Sequence, residues 1–341
     1  MPAVVVMLVA GWLTGCQASR PSPLAARSTT VAAPTTTSTA TLPPPTPEAT
    51  STTTPPTTSG TPAATATTVP PGAVTSVVLA LVDRSRPTVS HGRLVSSSRA
   101  LTTTVWIPAG APAPHPLIVF AHGYSVGVAP YIRVCQAWAR AGFVVAAPEF
   151  PLTDKAVAGA NLDEGDLANQ PGDVSFVTTA LLGANQTPSS PLAGRIDPQR
   201  IVVAGHSDGA DTALAVAYLP GKADPRIGAA IVDAPDPLPV PAGAPKLVSR
   251  VSLLLIHGDH DSIAPFSGSQ RVLTQLSAPG WFLILRGADH LPPIQGPSPW
   301  TSTLDRVTTD FAANAFGGLA ALNTTLTADV AGAPVTLQRV G

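Results

Sequence analysis

The sequence predicts an α/β protein. Across residues 73–317 short apolar runs alternate with amphipathic segments. Several runs, such as Leu117-Ile118-Val119-Phe120 and Leu253-Leu254-Leu255-Ile256, are apolar without alternation, as strands are when both faces of a mostly parallel sheet are covered. Residues that start or stop helices stand between the runs, so helices are expected on both faces of one central sheet.

In chain order, strands are expected at 99–107, 116–121, 143–148, 200–206, 227–233, 251–257 and 281–286, where β-branched and large apolar residues concentrate. Helices are expected near 130–141, 172–183, 208–218, 267–277 and 301–316. Pro130 suits a first helical turn, Gly142 can end that helix, and Ser302 with Asp305 resembles a capping box. Between the strands ending near Asp233 and starting near Val251 lies a short Pro-rich connection, with no room for a large cap domain. An open site is therefore expected. Residues 318–341 have no evident role.

The amino-terminal part differs in kind. Residues 1–16 are apolar and end in Leu13-Thr14-Gly15-Cys16, which resembles the lipobox of bacterial lipoproteins, where the cysteine receives lipid. A signal peptide is expected there, although no Lys or Arg precedes Val4. Residues 17–72 are expected to be a disordered tether: from 28 to 72 Thr, Pro, Ala and Ser dominate and Glu48 is the single charged residue, too little apolar surface to offset the entropy of ordering. Residues 73–317 then form the catalytic domain, outside the cytoplasm, held to a membrane by the lipid on Cys16 alone.

Composition excludes some classes. Net charge is −1, charged residues are 11% of the chain, and no Lys/Arg cluster occurs, so nucleic acid is not an expected partner. Cys16 and Cys135 are the only cysteines, and with Cys16 claimed by the lipobox no internal disulfide is expected. Cys135 falls beside Val134 and Trp138 on the apolar face of a helix, as a buried thiol does. A monomer is expected.

The chemistry centres on Gly205-His206-Ser207-Asp208-Gly209, which closes an apolar strand and opens an alanine-rich helix. That is a nucleophile elbow with Ser207 at its tip, and Gly205 and Gly209 let the backbone close in around it. A serine hydroxyl needs a base, and the base needs a partner that fixes its tautomer. His290, in the loop after strand 281–286, is the expected base. Asp261, just past strand 251–257, is the expected acid, in preference to Asp259, a turn residue, and Asp236. Backbone N–H groups of Tyr124, in the turn after strand 116–121, and of Asp208 are the expected oxyanion donors. His122 and His206 flank the site as packing or turn-stabilising residues.

Residues 99–316 resemble the α/β-hydrolase family. The H-G-Y turn at His122, the G-H-S-x-G elbow, Gly258-x-x-Asp261-x-x-x-Pro265 and Asp289-His290 are most similar to cutinase-like polyesterases, chlorophyllases and dienelactone-hydrolase-type esterases. The resemblance implies that Tyr124 gives an oxyanion N–H and holds an acyl group with its ring. Polyesterases carry an apolar residue after the nucleophile, where this chain has Asp208, and a tryptophan after the next strand, where it has Asp233-Ala234-Pro235-Asp236-Pro237. A general ester hydrolase is expected in place of a plastic or cutin depolymerase.

The expected reaction is cofactor-free acyl transfer through an acyl-enzyme on a small-molecule or polymeric ester. His257 and His260 near Asp259 and Asp261 are not read as a metal cluster, and no H-E-x-x-H or strand-borne G-x-G-x-x-G occurs. A serine peptidase or amidase on the same fold and a non-catalytic binding lipoprotein are the alternatives.

Overall fold

The computed structural model describes residues 72–110, 112–241 and 243–341. The expected signal peptide, lipidation site Cys16 and tether lie outside the described residues, apart from Gly72.

The chain begins with β1 (Val74–Asp83), β2 (Thr88–Ser90), β3 (Arg93–Ser96), β4 (Arg99–Pro108) and β5 (His115–Ala121). α1 (Ile132–Arg140), β6 (Val144–Pro148), α2 (Lys155–Ala158) and α3 (Gln170–Gln186) follow, then β7 (Ile196–His206), α4 (Asp208–Tyr218) and β8 (Ile227–Asp233). The last part holds β9 (Leu247–Val248), β10 (Ser252–Gly258), α5 (Ser267–Gln275), β11 (Leu276–Ser277), β12 (Gly280–Leu285), α6 (Pro292–Gln295), α7 (Thr301–Asn314), α8 (Leu319–Asp329) and β13 (Val335–Val340).

Nine strands form one sheet in the order β1-β4-β6-β5-β7-β8-β10-β12-β13. The six central strands, β6 to β12, are mutually parallel; β4 on one side and β13 on the other run antiparallel to them, and β1, antiparallel to β4, returns to their direction. The unalternating apolar runs are explained by burial on both faces. Leu117 and Val119 of β5 pack with Val174, Val177 and Leu181 of α3 and with α4, whereas Ile118 and Phe120 pack with Trp138 of α1 and with Val307 and Phe311 of α7. The connection from β8 to β10 contains only the two-residue β9.

Each expected strand and helix appears within a few residues of its expected bounds. The segment 318–341 belongs to the domain, which does not stop at 317: β13 pairs with β12 along its whole length, and α8 buries Leu322 and Leu326. The capping box at 302–305 is absent. α7 begins at Thr301 behind Trp300 with no side-chain cap, which puts Asp305 a full turn in, where it pairs with Arg133 at 2.6 Å. Pro130 opens a 3-10 turn leading into α1, and Gly142, at φ +104°, follows the end of that helix. Cys135 is buried and free, and burial raises its thiol pKa far above the ordinary range. No described helix is long and apolar enough to cross a membrane.

Candidate active site

β7 ends at His206 and α4 begins at Asp208, so the chain reverses on one residue. Ser207 takes φ 58° and ψ −129°, in the left-handed region that side chains avoid at roughly 1–3 kcal/mol. The surroundings fix it there. Its N–H donates to the Asp233 carbonyl at 2.9 Å, and its own carbonyl accepts from the Ala210 amide at 2.7 Å. A Cβ on Gly205 would run into the Gly209 carbonyl, and one on Gly209 into the Ala121 carbonyl, so both positions need glycine for lack of space.

The turn after β5 lies against this elbow. A Cβ on Gly123 would sit 3.2 Å from Ser207 Cβ and 2.9 Å from the Tyr131 hydroxyl. The Gly123 amide donates to that hydroxyl at 3.3 Å, which leaves the next amide, Tyr124, to face the site. Among the described residues neither the Tyr124 nor the Asp208 amide donates to a backbone carbonyl in the turns around the site. Asp208 also stands at the N-terminus of α4, where aligned peptide dipoles favour negative charge.

Asp261 and His290 are brought together. His290 Nδ1 donates to Asp261 Oδ2 at 2.7 Å, and both side chains are almost fully buried. With Nδ1 the donor, Nε2 is left as the unprotonated ring nitrogen. Asp261 Oδ1 accepts the amides of Ile263 at 2.9 Å and Ala264 at 2.7 Å. Burial alone would raise its pKa, but hydrogen bonds from His257, His290 and Ile263 outweigh that and hold it well below the usual carboxylate range. The two competing carboxylates are occupied elsewhere. Asp259 accepts the Gly287 amide at 2.6 Å and pairs with Arg286, as a turn residue does, while Asp236 sits in a loop tied by its amide to Asp211.

Ser207, Asp208, Tyr124 and His290 line one cleft of about 260 Å³, with Glu164, Ile263 and Leu291 completing its walls. Among the described residues no His, Cys, Asp and Glu cluster is arranged to hold a metal, and His257 is engaged with the Ser269 hydroxyl at 2.7 Å and the Ala264 carbonyl at 3.1 Å.

The bonds that tie the site together are not visible in the sequence. The Tyr131 hydroxyl, accepting from Gly123, donates to His206 Nδ1 at 3.0 Å, and His206 Nε2 donates to the His290 carbonyl at 3.1 Å. This chain of bonds runs beneath the nucleophile and ties the turn after β5 to the histidine loop. Burial first, then the neighbouring His290, pushes His206 down to about 3, so its ring, 4.5 Å from that of His290, stays neutral. Asp289 Oδ1 accepts the amides of Ser262 and His290, at 2.9 and 2.8 Å, and so clamps the acid loop to the base loop. His122 is a turn residue: its Nδ1 donates to the Gly123 carbonyl and its Nε2 accepts the Phe150 amide. His122 and His206 were expected to flank the site and Asp289 stands in the Asp289-His290 dipeptide, whereas Tyr131 carried no sequence signal.

A mostly parallel sheet with helices on both faces, a serine elbow leaving a central strand, and loops meeting at the same strand ends are the features of the α/β-hydrolase fold. Residues 88–239 match the Chlorophyllase family, a family of α/β-hydrolase-type esterases. The match spans the turn at Gly123 and the elbow and ends before Asp261 and His290. No curated protein matches the chain.

Proposed function

We propose that the protein is a serine-dependent carboxylic ester hydrolase with Ser207 as nucleophile, His290 as base and Asp261 as the orienting acid. The observation that carries this is the buried 2.7 Å bond from His290 Nδ1 to Asp261, in a loop that shares one cleft with the strained Ser207. His290 Nε2 takes the Ser207 proton as Oγ attacks the ester carbonyl. The Tyr124 and Asp208 amides receive the oxyanion, and the imidazolium then protonates the departing alcohol. Water, deprotonated by His290, releases the acid and restores Ser207. The anionic Asp261 stabilises the imidazolium, and His206, being neutral, adds no opposing charge.

The carboxyl of Asp208 beside the nucleophile makes the cleft polar, which favours small esters over an aromatic polyester. Its pKa is raised to about 6 by burial, with Glu164 and Asp236 adding to the rise. Export and anchoring through lipid on Cys16 form part of the same proposal, and loss of metabolic lipid label in Cys16→Ser would support it.

Hydrolysis of p-nitrophenyl butanoate and of the matching p-nitroanilide, by the wild type and Ser207→Ala, tests the activity. Ester turnover is expected, with kcat reduced by about 10⁶ in the variant and the anilide left intact. Equal turnover by Ser207→Ala would refute the nucleophile, and preferential anilide cleavage would make the protein an amidase.

A further inference from the structure

Beside the cleft lies a second, larger space of about 400 Å³, within the size range of small-molecule sites. Its walls are mostly apolar, formed by Leu167, Pro171, Ala215, Leu219, Pro237 and Pro239. Glu164 borders both spaces. The groove also follows the helix that the nucleophile begins. Asp208 lines the cleft, and Asp211, Ala215 and Leu219, at helical spacing on one stripe of α4, line the groove.

We infer that this groove is the acyl-chain subsite of the ester hydrolase, suited to a medium-length linear chain from octanoyl to dodecanoyl; the inference rests on the function proposed above. Three features choose the occupant. Glu164 lines both the groove and the cleft, so a chain leaving the Ser207 ester on that side meets the groove next. The alcohol oxygen must face His290 to be protonated, and no residue of the His290 loop lines the groove, which leaves it to the acyl side. Its length is bounded as well. Lys222, a turn beyond Leu219, donates from Nζ to the Ala168 carbonyl at 2.9 Å, and both residues line the groove. From Asp211 to Leu219, the stretch of α4 that lines it, the helical rise is about 12 Å, about the length of an extended decanoyl chain.

The wall opposite α4 is rigidly held. Asp166, in the 3-10 turn Glu164–Asn169 that supplies Leu167, accepts two hydrogen bonds from the buried guanidinium of Arg99, at 2.9 and 2.7 Å. A preformed wall lets binding of each methylene contribute to selectivity instead of to ordering the site.

The test is a series of p-nitrophenyl esters from acetate to hexadecanoate, read as kcat/KM for the wild type and for Ala215→Trp, whose indole would fill the middle of the groove. A wild-type optimum between octanoate and dodecanoate is expected, and in Ala215→Trp a fall of at least about tenfold in the decanoate-to-acetate ratio, with the optimum moved to butanoate or shorter. A second series with butanoate as the acid and methyl to decyl alcohols should keep its profile in the variant. An unchanged decanoate-to-acetate ratio would overturn the inference, and a loss confined to decyl alcohols would overturn the acyl assignment. If the wild type cleaves acetate and these outcomes follow, the groove's role alone fails. Absence of turnover on every ester would remove the proposed function and this inference with it.

Discussion

Asp261 illustrates how far a single residue's role follows from its partners. Four groups hold it ionised and aimed at His290 Nδ1, so Asp261→Asn should keep the shape of the site while favouring the wrong imidazole tautomer. A fall in kcat of about 10⁴ is expected with KM little changed, measured on p-nitrophenyl butanoate. Tyr131 acts one step further out, through Gly123 and His206, as a positioning residue. Tyr131→Phe keeps the ring packing and removes both bonds, and kcat should fall by about ten- to a hundredfold, because misplacing the oxyanion turn slightly is enough. Loss of KM with unchanged kcat would instead make Tyr131 a substrate-binding group. Asp211 is placed at a cost. Burial pushes its carboxyl up to about 8, the Asp236 amide opposes that, and the charges of Asp236 and Asp208 add to it. Because its folded value lies above the unfolded one, its stabilising contribution is complete below the unfolded value and is lost as pH rises through about 8. Asp211→Asn should therefore raise Tm relative to wild type at about pH 9 and leave it nearly unchanged at about pH 4, by calorimetry. Ser207, Asp261 and His290 were legible as candidates because each follows a strand end in the order the fold requires. Tyr131 was not, since only folding brings it to His206, 75 positions away.

At the scale of elements, the parallel strands announced themselves by apolar runs covered on both faces, and the edge strands did not. β1 alternates only partly and stays half-exposed, and β13 is similarly open, so neither carries the dense run that marks a central strand. α8 hid for a related reason. Its Thr- and Asn-rich sequence has modest helix propensity, and only Leu322 and Leu326 are buried. The hairpin of β2 and β3 turns on His91 and Gly92, both at positive φ, a two-residue signal too short to stand out. Arg99 joins elements in a way that composition cannot reveal. Fully buried on β4, it bonds Asp166 before α3 and Asp173 within it, at 2.7 and 2.6 Å. Arg99→Ala would leave buried Asp166 without a cation and Asp173 with Arg86 alone, and a loss of about 3–5 kcal/mol in urea unfolding is expected. An unchanged midpoint would mean that the aspartates take up protons or water at little cost.

At the scale of the whole molecule, six parallel strands set the geometry, and their carboxyl ends gather the loops that carry Tyr124, Ser207, Asp261 and His290. The antiparallel strands at either side close the sheet's edges. Removing residues 318–341 would bare β12, whose residues are all buried, and such a chain should be insoluble or unfolded, as solubility and circular dichroism would report. In the function proposed above, one strained serine is activated by an imidazole from far along the chain. Intact-mass analysis after incubation with a fluorophosphonate tests it most directly. The account predicts a single adduct on Ser207 that forms within minutes in the wild type and is nearly lost in His290→Ala. An unmodified wild-type chain, or an adduct that forms equally fast without His290, would contradict it.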